Sequence, residues 1–427
     1  MTEEQRLNKN KNIGLSMAAT RAKRQNQVCR VYTVKIDQSR LSSKQKEQLK
    51  MLFVESKWIW NNCVTYFNDN GTLDGFNLKQ DMIVKMPDGT FETRKLNYLG
   101  SQMKQSIVTQ FKANVKTCFK LLKQGKQKHF NFKYKKKDIT AIDLKQYSTT
   151  YYFKDKNKMK LQNIQGVLTV RGTKQFRDIE GLEYANAKIL NTAKGYYVAI
   201  TTYIDKDKLK PRKYKDNRIG IDFGCSMSFT TSEGEKINAY IQESDRLKKL
   251  QRKMFKQENG SKGRTKTISL IRKEYQKLSN QKNDLANKLT HYFSQNKLVV
   301  FQDEQLSVWK IKHGKKVHHS VLGRVKVKLK DKSNAIMINK LYPTTKLCTK
   351  CGSYHDNITL KDRTFICPVC GYTEDRDIHA ANNMLWIYNN IVGPGRTEVT
   401  RKEIEPLVSD ICNQSQVWSR SSEGATL

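Results

Sequence analysis

Four cysteines near the carboxyl end have the spacing of a metal site. They lie in CTKCGSYHDNITLKDRTFICPVCGYTEDRDIHAANNM, where the pair Cys348/Cys351 precedes the pair Cys367/Cys370 by 15 intervening residues. Doubled Cys-x2-Cys pairs at this spacing are typical of one zinc ion held by four thiolates, and they disfavour the alternative of four free thiols. Four thiolates close the coordination shell, so the sequence predicts a structural zinc site and not a catalytic one.

Carboxylates form a second candidate site. Asp375 and Asp377 follow the last cysteine pair at the start of an apparent helix, Asp222 ends the apolar strand IGID, and Glu304 follows the strand LVVFQ. Magnesium prefers oxygen ligands, and two such ions about 4 Å apart serve phosphodiester hydrolysis well. One acid at a strand end is usually a surface residue, whereas several in a basic chain favour a magnesium site.

The composition indicates a polyanionic partner. The 427 residues include 80 Lys and Arg against 40 Asp and Glu, a formal net charge of +40. Such an excess favours nucleic acid over the alternative of a solvated basic surface, and its spread along the chain suits an extended channel. The 37% hydrophobic content is typical of a globular protein. The sequence has no run of about 18 apolar residues, so we predict no membrane span.

Cysteine usage and the amino-terminal segment bear on location. Nine cysteines, an odd total with two Cys-x2-Cys pairs, favour a reducing compartment over disulfide bonding. Residues 1–27 are polar and basic without an apolar core, so we predict a flexible basic arm and no secretory signal. His355, between the cysteine pairs, is predicted to be a surface residue and not a ligand.

Residues 123–138, KQGKQKHFNFKYKKKD, interleave cations with aromatic rings. This pattern is typical of nucleic-acid contacts, in which cations meet phosphates and rings stack on bases. An amphipathic edge strand with its rings inside is the alternative. The candidate nucleic-acid-binding residues are Lys126, Lys128, Phe130, Lys133, Tyr134 and Lys135.

Hydrophobic periodicity predicts two structural halves. A strand over 28–38 is followed by helices over about 42–68 and 98–124, and short strands fill 139–214 as an antiparallel β-domain. From 217 to 344, strands alternate with helices in an α/β layer pattern that includes a helical hairpin within 242–296.

Several of these motifs together resemble one family. GIDFG, VVFQDEQLSV and DRDIHAANNM, with CTKCG and CPVCG directly before the last, resemble the three split RuvC motifs and zinc ribbon of TnpB-type transposon nucleases and their descendants, the miniature type V CRISPR effectors. The resemblance covers about 216–392, including the helical hairpin, and the amino-terminal half matches only in layout.

The resemblance implies a multidomain α+β protein: a β-barrel wedge domain with an inserted helical recognition lobe, then an RNase H-like α/β nuclease domain with an inserted zinc ribbon. The implied segments are an arm (1–27), the first wedge strand (28–41), the recognition lobe (42–124), the rest of the wedge domain (125–215), RuvC motifs I and II (216–344), the ribbon (345–371), RuvC motif III (372–396) and a tail (397–427).

The resemblance also implies roles for the acids. Asp222, Glu304 and Asp377 match the three catalytic ligands of two magnesium ions, with Asp303 and Asp375 as neighbours of lower rank. Thr344 and Thr345, which precede the first cysteine of the ribbon, correspond to similar residues in the family's sequence at this point. The chain departs from the family at His379, where the family usually has Asn, and this puts metal geometry or rate in question.

The activity implied is RNA-guided DNA cleavage. A guide RNA would pair with target double-stranded DNA beside a short flanking motif, and a single RuvC site would cut both strands in the cytoplasm of a prokaryote. Monomers and dimers both occur in the family, so a homodimer stays open. Two alternatives remain. The long amino-terminal half argues against a guide-independent RuvC nuclease, and the three acids argue against a nuclease-dead nucleic-acid-binding repressor.

Overall fold

The structure is a computed structural model that describes residues 3–86, 89–209, 213–359 and 361–392. The chain divides into two compact units, Met1–Pro211 and Arg212–Leu427. No helix among the described residues is long and apolar enough to cross a membrane. The predicted tail, 397–427, lies outside the described residues.

Among its described residues, the first unit contains three α-helices and nine strands. The helices are α1 (Glu3–Gln25), α2 (Ser43–Asn70) and α3 (Ser101–Lys123). The strands are β1 (Gln27–Ile36), β2 (Asp81–Lys85), β3 (Phe91–Lys95), β4 (Ala141–Leu144), β5 (Tyr151–Asp155), β6 (Lys158–Leu161), β7 (Leu168–Arg171), β8 (Glu183–Thr192) and β9 (Gly195–Asp205).

The main sheet of this unit is nearly closed. Its seven strands have the order β4-β8-β9-β1-β7-β6-β5, so the two edge strands are consecutive in the chain. Tyr147, between them, forms a bridge to Tyr151 on β5. The helices α2 and α3 and the β2–β3 hairpin all lie between β1 and β4 in the chain. The insertion of two helices after the first strand was predicted, and the hairpin was not.

The helix α2 has strong signals at both ends, which explains why its periodicity was easy to recognise. Ser42 and Gln45 form a reciprocal capping box, and Gly71 ends the helix with a left-handed φ of 69°. Within it, the fully buried Glu55 carboxylate accepts hydrogen bonds from the backbone N–H groups of 97–99 at 2.7–3.1 Å. This carboxylate joins α2 to the start of α3, whose own first residues lack a side-chain cap.

The prediction of a flexible arm over 1–27 is wrong in its conformation. The helix α1 (Glu3–Gln25) covers nearly all of that segment. The segment lacks proline and is rich in Ala, Lys, Arg and Gln, which favour helix even where little is buried. At its end, the Arg24 guanidinium lies 3.6 Å from the ring centre of Tyr203 and donates to Glu183 at 2.8 Å.

The second unit contains an α/β layer and a small ribbon. Its helices are α4 (Asp245–Phe255), α5 (Lys262–Phe293), α6 (Leu306–His319), α7 (Leu322–Lys330) and α8 (Arg376–Ile387), the last followed by a π-helix (Tyr388–Val392). Its strands are β10 (Lys215–Phe223), β11 (Phe229–Thr231), β12 (Lys236–Ile237), β13 (Asn296–Gln302), β14 (Ala335–Ile338), β15 (Thr364–Ile366) and β16 (Thr373–Asp375).

A five-stranded sheet organises this unit, in the order β12-β11-β10-β13-β14. The strands β10, β13 and β14 are parallel, whereas β11 and β12 continue antiparallel from β10. Buried residues of β10 and β13 pair directly, as in Ile221 with Phe301, which explains their near-continuous apolar sequences. The parallel β10–β13 pair brings the carboxyl ends of both strands to one edge of the sheet.

Candidate functional site

Two of the predicted acids follow adjacent parallel strands. Asp222 is the penultimate residue of β10 and pairs with Thr230 on β11. Glu304 lies two residues after β13 ends. Since Ile221 pairs with Phe301 in the parallel register, Asp222 and Glu304 lie at the same edge of the sheet.

The helix α8 brings the third acid to this edge. Its backbone crosses β10 so closely that a Cβ on Gly220 would lie 1.9 Å from the carbonyl oxygen of Ala381. Asp222 is two residues beyond Gly220 on the same face of the strand, and Asp377 is four residues before Ala381 on the same face of the helix. The contact therefore sets the two carboxylates towards each other.

The electrostatics of Asp222 reflect this arrangement. Burial raises the pKa of Asp222 well above its ordinary value of 3.8, and the negative charges of Asp377 and Glu304 raise it further. Arg376 opposes the shift. Burial also raises the pKa of Glu304, which Lys326 opposes and Asp303 reinforces. A metal-free site of this kind repels its own charges, and a cation would relieve it.

The three carboxylates are near one another without forming a tight single-ion cluster. Among the described residues, the four cysteines are the only His, Cys, Asp or Glu group whose ligand atoms all lie within 4.8 Å of one another. The three acids offer only oxygen donors, which are the ligands that magnesium prefers.

The two neighbouring acids have other partners. Asp375 caps α8, where its Oδ1 accepts from the backbone N–H groups of Asp377 and Ile378 at 3.1 and 3.2 Å, and its Oδ2 pairs with Lys236 at 2.7 Å. Burial acts to raise the pKa of Asp375, but Lys236 and the helix amides lower it overall. This carboxylate orients the start of α8.

Asp303 similarly pairs with a lysine. The Lys326 ammonium contacts the Asp303 carboxylate and donates to the backbone oxygen of Glu304 at 2.7 Å. This lysine on α7 therefore fixes the turn that carries Glu304 and places positive charge beside it. Nothing in the strand-end pattern of the sequence indicated Lys326, because the contact joins residues about 22 positions apart.

The cysteine pairs come together as predicted. The Sγ atoms of Cys348 and Cys370 lie 3.7 Å apart, and those of Cys351 and Cys367 lie 3.6 Å apart. A tetrahedron with metal–sulfur bonds of about 2.3 Å has edges of about 3.8 Å, so the four atoms fit a tetrahedral ion. The strands β15 and β16 complete this ribbon, with Phe365 buried beside the thiolates.

His355 lies outside the group of four clustered ligand residues, as predicted, but its side chain is half-buried and engaged. Its Nε2 lies 2.7 Å from Ser353 Oγ and 3.3 Å from Cys367 Sγ. Burial acts to raise the pKa of Cys367, but the hydrogen bond from Ser353 and the backbone amides of Cys370 and Val369 lower it to about 6. His355 thus supports a thiolate ligand from outside the first coordination shell, a role that sequence spacing did not reveal.

The described contacts of His379 run to the ribbon, to Glu374 and to Asn383, and none of them runs to Asp222, Glu304 or Asp377. Its ring is fully buried and stacks on Phe365 of the ribbon, with centroids 3.7 Å apart and planes 15° apart. Burial lowers its pKa, although the Leu347 carbonyl and Glu374 act in the opposite direction. The departure from the family pattern at His379 therefore lies at a contact with the ribbon.

The segment 123–138 is only partly as predicted. Residues 129–135 form no strand, so the edge-strand alternative is wrong, but the Phe130 and Phe132 rings do pack inwards. Phe130 lies 5.1–6.2 Å from the ring centres of Phe67, Phe119 and Phe132, so its half-buried ring belongs to an aromatic cluster, and its contact with bases stays a prediction. The Tyr134 side chain is 53% exposed.

The cations of this segment line a cleft. Lys135 lies 4.3 Å from the ring centre of Trp60, and Asn61 fixes its backbone through hydrogen bonds of 2.8 and 3.1 Å. The cleft measures about 550 Å³, and its lining comprises Trp60, Gln110, Asn114 and residues 135–141. Lys126, Lys128 and Lys133 are exposed on the same segment.

Comparison with known proteins gives independent support for the resemblance. A family model described as "Probable transposase" (OrfB_IS605) matches residues 199–308, and one described as "Cas12f1-like, TNB domain" matches residues 318–384. A "Putative RNA-guided DNA endonuclease" of Streptomyces pristinaespiralis is 24% identical over 307 residues, which cover 69% of this chain and 74% of the relative.

One solved structure has a low-scoring similarity to this chain. The protein chain in a cryo-EM structure of the Cas12f1–sgRNA–target DNA complex matches 80% of this chain and 82% of its own length, with 13% identity and a TM-score of 0.42. The two family models and the curated relative together confirm that this chain is similar to proteins of the TnpB/Cas12f type.

Proposed function

We propose that this chain is an RNA-guided DNA endonuclease whose active centre comprises Asp222, Glu304 and Asp377. The observation that carries the proposal is the convergence of two parallel strand ends and one helix: Asp222 lies at the end of β10, Glu304 follows β13, and the close approach of Ala381 to Gly220 brings Asp377 on α8 to the same edge. The name of the curated relative, an RNA-guided DNA endonuclease, supports the same reaction and the same partners, a guide RNA and target DNA.

The sheet supports an RNase H-like assignment for the nuclease domain. The order β12-β11-β10-β13-β14, with the central β10 parallel to β13 and antiparallel to β11, places an acid on the central strand and another after its parallel neighbour. The nearly closed seven-stranded sheet suits the proposed wedge domain, and α2 and α3 suit the recognition lobe inserted in it.

The residues present fit two magnesium ions. Asp222, Glu304 and Asp377 would hold them, and the ions would supply an activated water and stabilise the leaving oxygen of the cleaved phosphodiester. The protein's part is to orient the acids: Asp375 fixes the first turn of α8, and Lys326 fixes the turn before α6. Arg376 donates to Asp377 at 3.2 Å and limits the rotation of its carboxylate.

The zinc assignment rests on the thiolate geometry and on the match to a Cas12f1-like TNB domain over residues 318–384. Four thiolates leave no open position for a substrate, so the ion would be structural. We propose that the ribbon guides nucleic acid towards the adjacent carboxylates, and that the whole complex acts in the cytoplasm.

Guide RNA and target DNA account for the charge of +40. We propose contacts to the sugar-phosphate backbone of the nucleic acid from the exposed Lys126, Lys128 and Lys133, and from Lys135 and Tyr134 beside the cleft. Their side chains offer cations for phosphates, and the half-buried Phe130 ring is a proposed stacking contact.

Two measurements test the proposal. The RNA that co-purifies from cells with the native locus should be a discrete species with a constant scaffold and a variable end, whereas a smear of cellular RNA would refute guidance. With that RNA bound, Asp222→Ala should abolish cleavage while leaving DNA binding intact, and Asp216→Ala, an exposed acid on the same strand, should cleave normally. Loss of binding and cleavage together in Asp222→Ala would contradict the catalytic role.

A further inference from the structure

The contacts of His379 join two parts of the second unit. Its Nε2 lies 2.8 Å from the carbonyl oxygen of Leu347, which immediately precedes the ligand Cys348. Its ring stacks on Phe365, two residues before the ligand Cys367. On the ribbon side, one side chain of α8 thus contacts residues next to both cysteine pairs.

A second side chain of α8 strengthens this connection. Asn383, one turn after His379, donates from Nδ2 to the carbonyl oxygens of Thr344 and Leu347 at 2.6 and 2.7 Å. Both His379 and Asn383 are fully buried. Buried polar groups with fixed partners hold one geometry, because a shift would leave them unpaired.

The same short helix carries the third carboxylate. Asp377 lies two residues before His379 in the first turn of α8. Arg376 adds a parallel link, since its guanidinium donates to Asp377 and to the Thr359 carbonyl of the ribbon, each at 3.2 Å. A displacement of the ribbon against α8 therefore acts directly on the turn that holds Asp377.

His379 has no part in the proposed chemistry. Within the described part of the chain, its contacts run to the ribbon, to Glu374 and to Asn383, and none runs to Asp222 or Glu304. A buried, fully engaged imidazole between a metal-binding ribbon and a catalytic helix needs another explanation.

We propose that His379 is a positioning residue that couples the zinc ribbon to the carboxylate centre, so that ion occupancy at each site stabilises the other. The inference rests on the proposed metal sites. Coupling between two binding sites is reciprocal, so magnesium at the carboxylates must raise the affinity for zinc by the factor with which zinc raises the affinity for magnesium.

The test measures the equilibrium zinc affinity of the full chain by competition with a zinc-selective chelator, with and without magnesium. In the wild type, magnesium should raise the zinc affinity by about fivefold or more, the lower range of ordinary coupling. Asp222→Asn should abolish this effect, which assigns it to the carboxylates. His379→Ala should also abolish it, by bringing the ratio of the two affinities to about one.

Conservative variants separate coupling from simple stability. His379→Gln keeps a nitrogen near the Leu347 carbonyl and should restore part of the magnesium effect, whereas His379→Phe keeps only the stack on Phe365 and should restore less. Ile358→Ala is the control, because Ile358 packs in the ribbon core. It should lower the zinc affinity while preserving the ratio of the affinities between the two conditions.

The outcomes are distinct. A magnesium effect that survives in His379→Ala but not in Asp222→Asn would overturn the coupling and leave the endonuclease proposal standing. If magnesium has no effect in the wild type, the coupling is also wrong, and magnesium-dependent cleavage that is lost in Asp222→Ala would show that the proposed function survives. Failure of that cleavage assay as well would overturn both.

Discussion

Gly220 on β10 and Ala381 on α8 are in such close contact that no other residue type fits at position 220. A Cβ there would lie 1.9 Å from the carbonyl oxygen of Ala381 and 2.8 Å from its carbonyl carbon, both backbone atoms that cannot rotate away. The requirement is for space and not for backbone conformation, since Gly220 has no positive φ. The first glycine of GIDFG thus sets the height of α8 above the central strand.

Gly220→Ala should therefore displace α8 and with it Asp377. We expect cleavage to fall by about 100-fold, the loss that a shift of about 1 Å produces in a positioned site. The free energy of unfolding should decrease by about 1–3 kcal/mol, as for other overpacked cores. Single-turnover cleavage and denaturant unfolding measure the two effects.

Gly323→Ala is the matched control. A Cβ at Gly323, in α7, would make an ordinary contact of 3.5 Å with Leu306 Cδ1. Alanine in a helix is favoured over glycine by about 0.5–1 kcal/mol, so this variant should be equally or more stable and fully active. Normal cleavage by Gly220→Ala would contradict the positional argument.

Charge repulsion at Asp222 predicts that an inactive variant will be more stable than the wild type. Folding raises the pKa of the Asp222 carboxyl above 3.8, its ordinary value. The free energy of unfolding therefore decreases as the pH rises from about 3.8 through the pKa of the folded state. Asp222→Asn removes the charge, so without divalent ions its melting temperature at neutral pH should exceed that of the wild type. The difference should shrink as the pH falls towards 3.8.

Asp216 on the same strand has a pKa shift in the opposite direction. Its pKa is lowered by the hydrogen bond and charge of Lys297, so its carboxylate is favoured in the folded state. Asp216→Asn should leave the melting temperature unchanged or slightly lower, since both partners are exposed. A lower melting temperature for metal-free Asp222→Asn would show that its carboxylate is stabilised and not strained.

The ribbon geometry predicts one zinc ion per chain. Cys367→Ser removes a thiolate within 3.6 Å of Cys351, and we expect its zinc content to fall below about one tenth of the wild-type value. Cys29→Ser, an exposed cysteine outside the cluster, should retain full zinc. Elemental analysis of the purified proteins measures this. Equal zinc content in both variants would contradict the four-thiolate site.

The sequence was informative where signals are local. Strand ends located Asp222 and Glu304, a helix start located Asp377, and the spacing of cysteines located the ribbon, because each depends on a few neighbouring residues. The helix α6 was not predicted. Its sequence has a glycine and a kink at His313, where φ is −124°, so helical periodicity is interrupted.

Contacts between distant positions were beyond local patterns. Lys326 at the Glu304 turn and Glu55 at the start of α3 depend on folding that brings remote segments together. The partners of His355 and His379 could not be predicted for the same reason, because the ribbon fold sets them and neighbours in the chain do not. The aromatic neighbours of Phe130 were likewise beyond local patterns.

The cleft beside Trp60 gives the last prediction. Lys136 and Lys137 are exposed and lie on a backbone that Asn61 and the ion pair of Lys57 with Asp138, 2.8 Å, hold in place. A rigid backbone presents cations to phosphates at little cost in chain entropy. Lys136→Glu combined with Lys137→Glu should therefore weaken RNA or DNA binding, and the slope of log affinity against log salt should decrease by about two.

The comparison requires a variant with the same change in net charge. Lys188 and Lys248 are ion-paired with Asp143 and Asp245 at 3.1 and 3.3 Å, so they have neighbouring carboxylates as partners. Lys188→Glu combined with Lys248→Glu should reduce affinity through the long-range field alone and leave the salt slope nearly unchanged. If both double variants change the slope equally, the cleft is not a specific contact, and nucleic acid binds through the overall charge.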